Sequence, residues 1–264
     1  HIITTSIEHK SILETAKYME LNGYEVDFID PNKSGQISIE EVLEKLREDT
    51  LLVSIMHVNN ETGVIQPVLE LGEEIQKRGI LFHIDATQSC GKLVEEIRNL
   101  KYDMLSFSAH KLMGPQGVGA LILKRKLYKR PPIKGIMYGG QQEQGIRPGT
   151  IPVALVVGCG KACEIAEHEY KENERHSLQI KEAILFVLEE SGLKYQINGN
   201  QDVCVSSTLN IAIDGVSSEA LMISSKQYCG ISNGSACTSS NYSPSYVLAA
   251  MGLDGSRIEA SLRL

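Results

Sequence analysis

Long apolar segments and an excess of basic residues are both missing from this sequence. No run approaches the roughly 18 to 20 apolar residues that a bilayer-spanning helix needs, and the first residues lack the pattern of a signal peptide. The net charge of −7 argues against a general nucleic-acid-binding protein, because such proteins must neutralise phosphates. A basic cluster at 124–130 is interpreted as a solvated turn, with a partner-docking patch as the alternative.

Paired cysteines are also missing. The six cysteines are scattered, no CxxC pair occurs, and no histidine lies at zinc-ligand spacing from a cysteine pair. This pattern argues against a disulfide scaffold and a metal site, and it indicates a reducing, cytoplasmic setting. The glycine-rich stretch GPQGVG at 114–119 is not a P-loop, since no Gly-Lys-Ser/Thr follows it.

Strand-like and helix-like runs alternate along the first half of the chain. Strand-like ILFHIDAT, for example, directly follows helix-like QPVLELGEEIQKRG. Strict alternation predicts an α/β fold with a mostly parallel sheet flanked by helices. A long helical region from Pro152 to Glu190 leads into a smaller α+β portion. We therefore expect a large domain over residues 1–157 and a small domain over 158–264.

Ligand sites of parallel α/β sheets lie beyond the carboxyl ends of the strands. Two residues and two short stretches follow predicted strands here: His9, Asn60, 85–88 and 108–111. We expect these side chains to lie around one site.

Lys111 stands out within SAHKLMGPQGVG, residues 108–119. It follows a strand end, has His110 beside it, and precedes glycines that allow close backbone approach. A lysine after a strand is ordinarily solvated. Desolvation or nearby positive charge would instead make its amine a nucleophile towards aldehydes.

Asp85, in FHIDATQS, ends an apolar strand. Its structural interpretation is a helix N-cap. The functional alternative is a carboxylate aimed at a ring nitrogen. Pyridoxal phosphate needs such a partner as well as its Schiff-base lysine.

Cys237 lies in ISNGSACTSSNYSPSY, which has no apolar periodicity. Buried structural cysteines usually sit among aliphatic residues, whereas glycine and serine predict an exposed loop here. An exposed thiol is prone to oxidation, so its presence suggests that the thiol is used.

Five motifs together resemble those of the cysteine desulfurases, which are fold type I pyridoxal-phosphate enzymes of the class V aminotransferase group. They are HVNNETGVIQP, HIDATQSCGK, SAHKLMGPQGVG, GGQQEQGIRPGT and GSACTSSNYSPSYVLAAMGL. The resemblance runs in order from His1 to Leu264.

The resemblance implies how pyridoxal 5′-phosphate would be held. Lys111 would attach it covalently, Asp85 would pair with its ring nitrogen, and Gln88 would hydrogen-bond its ring hydroxyl. His9 would stack on the ring and shuttle protons. Further cofactor contacts would come from Ser108, His110 and Asn60, and from Thr150, which would reach the phosphate of the neighbouring subunit in a homodimer.

The resemblance also implies the reaction. Asn60 and Arg263 would hold the carboxylate of L-cysteine, and an arginine fork suits that bidentate task. Cys237 would take the substrate sulfur as a persulfide, and L-alanine would leave. The sulfur would pass to an acceptor protein, a scaffold or sulfurtransferase, for iron–sulfur cluster assembly or for tRNA or DNA thiolation. No direct contact with nucleic acid or membrane is expected.

Several expectations depart from a complete family member. The resemblance implies an incomplete chain that lacks an upstream phosphate-binding segment and the continuation of its last strand. Gln142 and Gln144 stand where relatives carry histidine and arginine, which affects the intersubunit contact. Two alternatives stay open. One is a selenocysteine lyase or another lyase or aminotransferase on this fold, and the other is a non-catalytic interaction subunit that lost its cofactor.

Overall fold

The computed structural model describes residues 1–234 and 244–264. Within these ranges the strands form two sheets. The large sheet contains β1 (Ile2–Thr5), β2 (Val26–Ile29), β3 (Leu52–Met56), β4 (Leu81–Asp85), β5 (Met104–Ser108) and β6 (Gly119–Leu123); the small sheet contains β7 (Tyr195–Ile197), β8 (Asn210–Ile213) and β9 (Ser261–Arg263). The helices are α1 (Lys10–Leu21), α2 (Ile39–Glu44), α3 (Val68–Lys77), α4 (Val94–Asn99), α5 (Val153–Glu190), α6 (Ser218–Ser225), α7 (Tyr246–Ala250) and α8 (Gly255–Glu259).

The large sheet has the order β2-β1-β3-β4-β5-β6. Its first five strands pair in parallel, and only β6 runs antiparallel, against β5. The predicted α/β architecture with a mostly parallel sheet is therefore confirmed. The carboxyl ends of β1, β3, β4 and β5 all meet at one edge of the sheet, as parallel pairing requires.

The core of the large sheet explains why its strands have such apolar sequences. All four residues of β1 are buried, because helices cover both faces of a parallel sheet. Val53, Ile55, Phe82 and Ile84 pack with apolar residues of α2 and α3. On α3 the buried residues Val68, Leu71, Gly72 and Ile75 follow the helical repeat.

The C-terminal part packs its own apolar cluster. Leu209, Ile211 and Ile213, in and just before β8, pack with Leu262 of β9 and with the end of α5. The antiparallel small sheet and its helices form the predicted α+β portion.

This C-terminal part also contacts the functional edge of the large sheet. Val247, Leu248 and Met251, in and just after α7, pack against Ile7 and Met56 near the ends of β1 and β3. The C-terminal residues therefore complete one wall of the region beyond the strand ends.

Some short elements were not predicted from the sequence, including α4, α7, α8 and β7. Each spans six residues or fewer, which is too short to show a helical or strand repeat. The predicted boundary at residue 157 lies inside α5, and the division into two domains stays a prediction.

Candidate active site

A cavity of about 350 Å³ opens at the carboxyl edge of the large sheet. Its lining includes eight residues that the sequence analysis singled out: His9, Asn60, Asp85, Gln88, Ser108, His110, Lys111 and Arg263. Thr87, within the predicted stretch 85–88, also lines it, whereas Ser11, Met56 and Val58 line it and were not predicted. The structure therefore brings together side chains from four strand ends and from the C-terminal strand β9.

Lys111 lies just beyond β5, in a short 3-10 turn that spans Ala109–Leu112. The turn ends at Met113, whose φ of 62° is left-handed. The side chain of Lys111 borders two cavities, the one above and a second of about 260 Å³ that Lys92 also lines.

Lys92 lines the second cavity together with Lys111. Burial lowers the pKa of Lys92, and the positive charge of Lys111 lowers it further. The Lys92 Nζ donates a hydrogen bond to the Gln88 Oε1 at 3.4 Å. Of these two lysines, Lys92 is half-buried whereas Lys111 is exposed. Burial of the kind that activates an amine is therefore found at Lys92, and the side chain of Lys111 is solvated as an ordinary lysine after a strand would be.

Asp85 is the last residue of β4, and only 7% of it is exposed. Its Oδ1 accepts a hydrogen bond from the Thr87 N–H at 2.9 Å. This local turn holds the carboxylate at the cavity wall. Two residues earlier on the strand, His83 hydrogen-bonds to Ser54 at 2.8 Å and Ser106 at 3.0 Å, and burial lowers the pKa of His83. His83 is therefore a near-core side chain whose two ring nitrogens both have partners.

His9 is the N-cap of α1. Its Nδ1 accepts the Ser11 N–H at 3.2 Å and lies 2.9 Å from the Ser11 Oγ. Because Nδ1 accepts from a backbone N–H, the neutral ring carries its proton on Nε2. The helix start therefore fixes both the orientation and the tautomer of this histidine.

Glu8 precedes His9 and is fully buried. Its Oε1 accepts hydrogen bonds from Thr5 Oγ1 at 2.8 Å and Met56 N at 2.9 Å. Burial, with a smaller contribution from the negative charge of Asp85, raises the pKa of Glu8 to about 8. A carboxyl group that stays protonated near neutral pH thus lies beneath the site. The sequence analysis missed it, because nothing in SIEHKS distinguishes a buried glutamate from an exposed one.

The glycines after Lys111 allow the close approach that the sequence predicted. A Cβ at Gly119 would lie 2.6 Å from the carbonyl oxygen of Phe107, so only glycine fits there. At the end of the neighbouring strand, the Ser108 Oγ lies 2.8 Å from the His110 Nδ1. Ser108 and His110 also line a more open cavity with residues 116–119. Polar side chains and backbone therefore converge at this end of the site.

Asn60 and Arg263 meet at the opposite end. The Arg263 Nη1 donates to the backbone oxygen of Asn60 at 2.7 Å. The buried side-chain Oδ1 of Asn60 has no hydrogen-bond partner among residues 1–234 and 244–264. A guanidinium beside an unsatisfied amide oxygen is suited to a small polar ligand with a carboxylate and a donor group.

Of the remaining predicted residues, only Thr150 is described, and it does not line this cavity. Thr150 is exposed, after the short 3-10 turn Gln142–Gly145, and its predicted contact concerns a second subunit. Cys237 lies outside the described residues. The described part of the chain contains no group of three or more histidines, cysteines or carboxylates placed to hold a metal ion. No helix within the described ranges is long and apolar enough to cross a membrane.

Comparison with known proteins identifies the class of this fold and site. The family model for class-V aminotransferases matches residues 1–263. The chain therefore belongs to the class-V aminotransferase family.

Relatives within that family narrow the comparison. The chain is 42% identical to the cysteine desulfurase IscS of Vibrio vulnificus (strain YJ016) over 263 residues, which cover 100% of this chain and 64% of that protein. It is 43% identical to the same enzyme of Pasteurella multocida (strain Pm70), with the same coverage. The chain thus spans a little under two thirds of the length of these curated relatives.

Solved structures agree with membership of the class-V aminotransferase family. DndA from Streptomyces lividans superposes with a TM-score of 0.89 at 40% identity, covering 100% of this chain and 74% of that one. SspA in complex with cysteine gives a TM-score of 0.81 at 35% identity, and the match covers 100% of this chain and 72% of that one.

Proposed function

We propose that the full-length protein is a pyridoxal-phosphate-dependent cysteine desulfurase, which converts L-cysteine to L-alanine and holds the released sulfur as a persulfide on Cys237. The observation that carries this proposal is the single cavity shared by Lys111, Asp85, His9 and Arg263. An amine, a strand-end carboxylate, an oriented imidazole and a guanidinium match the groups that amino-acid chemistry on this cofactor needs. The names of the relatives above point the same way.

The residues present fit pyridoxal 5′-phosphate. The cavity of about 350 Å³ lies within the usual range for small-ligand sites. Lys111 supplies the amine for covalent attachment, and Asp85 supplies the carboxylate for the pyridine nitrogen. Ser108 and His110, beside the glycine-rich backbone, would hold the phosphate. When bound, the cofactor supplies an electron sink for breaking bonds at the amino-acid Cα.

The opposite end of the cavity suits the amino-acid carboxylate. Arg263 is held by the Asn60 backbone oxygen, and its other side-chain donors, which have no hydrogen bond to residues 1–234 or 244–264, would make a forked contact with a carboxylate. The buried Asn60 Oδ1, unsatisfied among the described residues, would accept a hydrogen bond from the bound molecules. Substrate orientation would follow from these two contacts.

Proton movement would fall to His9 and Lys111. The His9 Nδ1 is occupied by the start of α1, so its Nε2 is the atom that can give or take a proton in the cavity. Lys111 would be the second group able to move a proton there, because it lines the same cavity.

The sulfur step is assigned to Cys237. Its thiolate would form a sulfur–sulfur bond with the substrate while the carbon–sulfur bond of the substrate breaks, and the carbon would take up a proton to give alanine. The support is the GSACTSS motif and the relatives named cysteine desulfurase.

We also propose that the protein works as a homodimer in the cytoplasm, with Thr150 reaching the phosphate of the neighbouring subunit. Exposed apolar side chains in two elements of the chain support a partner: Leu121 and Ile122 on edge strand β6, and Val153, Val156 and Val157 at the start of α5. The division into a large domain, 1–157, and a small domain, 158–264, belongs to the same proposal. The sulfur would pass to a scaffold or sulfurtransferase for iron–sulfur cluster assembly or for tRNA or DNA thiolation.

The test is the variant Cys237→Ser in the full-length protein, with Cys229→Ser as the matched control, because Cys229 is an exposed cysteine in the same part of the chain. We expect Cys237→Ser to bind the cofactor, respond spectroscopically to cysteine, and release no alanine. The control should keep full turnover and carry a persulfide on Cys237 by mass spectrometry.

Other outcomes would point to the alternatives. Cysteine turnover that survives in Cys237→Ser would favour a different lyase or aminotransferase. A wild-type protein that stays colourless with added pyridoxal phosphate would favour a non-catalytic subunit.

A further inference from the structure

Glu61 is a buried carboxylate that the reaction proposed above does not use. It lies in the NNETG turn after β3, and its side chain is inaccessible to solvent. The Asn59 Oδ1 accepts the Glu61 N–H at 2.9 Å, and the Asn210 Nδ2 donates to the Glu61 backbone oxygen at 3.0 Å. The backbone of this residue is thus fixed to both the large and the small sheet.

The carboxyl group of Glu61 is hydrogen-bonded to one flank of the segment 235–243, which contains Cys237, and lies near the other flank. Its Oε2 accepts a hydrogen bond from the Ser245 Oγ, on the C-terminal flank. The same oxygen would lie 3.5 Å from a Cβ at Gly234, on the N-terminal flank. One buried group therefore lies close to both flanks of the cysteine-bearing segment.

The N-terminal flank is also joined to the substrate end of the cavity. Ser232 exchanges backbone hydrogen bonds with Arg263, and its Oγ donates to the Gly234 backbone oxygen at 2.9 Å. Arg263 in turn donates to the backbone oxygen of Asn60, the neighbour of Glu61. Glu61, Gly234 and Arg263 therefore belong to one hydrogen-bonded unit.

The second oxygen of Glu61 is unusual. Oε1 is buried and has no hydrogen-bond partner within residues 1–234 and 244–264. Burial raises the pKa of Glu61, while the Ser245 hydrogen bond and the charges of Arg263 and Lys10 oppose that rise. A buried polar group with an unmet oxygen costs folding free energy, so a packing role alone does not account for it.

We propose that Glu61 is a positioning residue for sulfur transfer: by holding Ser245 beside Gly234, it sets where the two flanks of the Cys237 segment lie relative to Arg263. The role concerns the delivery of the Cys237 thiol and not the binding of cofactor or cysteine. The inference rests on the proposed function.

The test compares four variants of the full-length holoenzyme in a single turnover with cysteine. Glu61→Ala and Ser245→Ala each remove one partner of the hydrogen bond. Glu61→Gln keeps an acceptor for Ser245 and is the conservative rescue. Ser217→Ala is the matched control, because Ser217 caps α6 as Ser245 caps α7 but makes no contact with Glu61.

We expect persulfide formation on Cys237 to slow by at least about tenfold in Glu61→Ala and Ser245→Ala, since small displacements of a reacting group are costly. The double variant should be no slower than the slower single variant, because both changes break the same contact. Glu61→Gln should recover most of the rate. Cofactor absorbance and the cysteine concentration for half-maximal spectral change should stay within about twofold in every variant.

Three results would overturn the inference. They are a wild-type rate in both alanine variants, equal losses of cysteine binding and persulfide formation, or a Ser217→Ala effect as large as that of Ser245→Ala. Failure of the proposed function gives a different result, namely no persulfide on Cys237 in the wild-type holoenzyme.

Discussion

The two walls of the cavity are built in different ways. On the sheet side, Asp85 and the residues around Lys111 directly follow buried parallel strands and are held by hydrogen bonds to near neighbours in the sequence. On the C-terminal side, Arg263 and Ser245 are held by polar contacts to residues 203 and 184 positions away in the chain. The sheet wall is therefore a property of local sequence, whereas the C-terminal wall exists only when the two parts of the fold are docked.

This difference suggests a division of labour. In the proposed enzyme, groups on a rigid strand edge would be pre-organised for the cofactor, which would keep one position through the whole reaction. Groups on the C-terminal wall would act on the substrate and its sulfur, which change during each turnover. Changes to the sheet wall should therefore affect cofactor binding, and changes to the C-terminal wall should affect substrate handling.

The largest effect should come from the sheet wall, with Lys111→Ala. Without its amine the protein cannot attach pyridoxal phosphate covalently, so we expect activity to fall by at least about 10³-fold. Borohydride reduction followed by mass spectrometry should label the wild type at Lys111. Lys33→Ala, at an exposed lysine in the turn before α2, should keep both properties. Full activity in Lys111→Ala would refute the assignment.

On the C-terminal wall, Arg263→Lys keeps the charge but removes the fork. We expect KM for cysteine to rise about 10- to 100-fold, since a hydrogen bond to a charged group is worth about 1.5–3 kcal/mol. Cofactor affinity should not change. Arg257→Lys is the control, because Arg257 donates to Asn198 and Ile197 instead of lining the cavity. An equal rise in KM for the control would show that the effect is one of stability.

The variant Glu8→Gln tests the protonation state of the buried carboxyl group next to His9. Burial raises the pKa of Glu8 to about 8 from an ordinary value of 4.5, so the folded state holds a proton that the unfolded state releases. The free energy of unfolding of the wild type should therefore fall, relative to Glu8→Gln, as pH rises from about 4.5 to about 8. Each pH unit within that window corresponds to at most about 1.4 kcal/mol.

Chemical denaturation of both proteins at pH 5, 6, 7 and 8 measures this difference. If the difference in the free energy of unfolding between wild type and Glu8→Gln is the same at all four pH values, Glu8 is ionised in the folded state.

The smallest effect should come from Tyr246→Phe, at the contact between the walls. The Tyr246 hydroxyl donates to the backbone oxygen of Glu8 at 2.7 Å and so ties α7 to the start of α1. We expect a loss of about 0.5–1.5 kcal/mol in the free energy of unfolding. Tyr18→Phe, at an exposed tyrosine of α1, should change it little. A larger loss for Tyr18→Phe would contradict the importance of this contact.

Much of the sheet wall was predictable from the sequence. Asp85 and Lys111 were found because each ends or follows a strand-like run, and parallel strands bring such ends together. The long helix α5 was also predictable, because its 38 residues carry a sustained helical pattern. Short elements such as α4 and β7 carried no repeat that could be recognised.

Glu8 and Glu61 could not be recognised in the same way. Both are ordinary glutamates in polar-looking turns, and only packing shows that they are buried. Arg263 was assigned by family resemblance, since its neighbours SLRL contain nothing that distinguishes a cavity residue from a strand residue.

The order of strands and helices, and with it the row of polar groups at the sheet edge, followed from the sequence alone, because those features depend on repeats within a few residues. The tertiary structure decided which distant groups face that row and which carboxyls lose contact with water. Burial and long-range hydrogen bonds arise only when segments far apart in the chain pack together, and no local pattern encodes such a pairing.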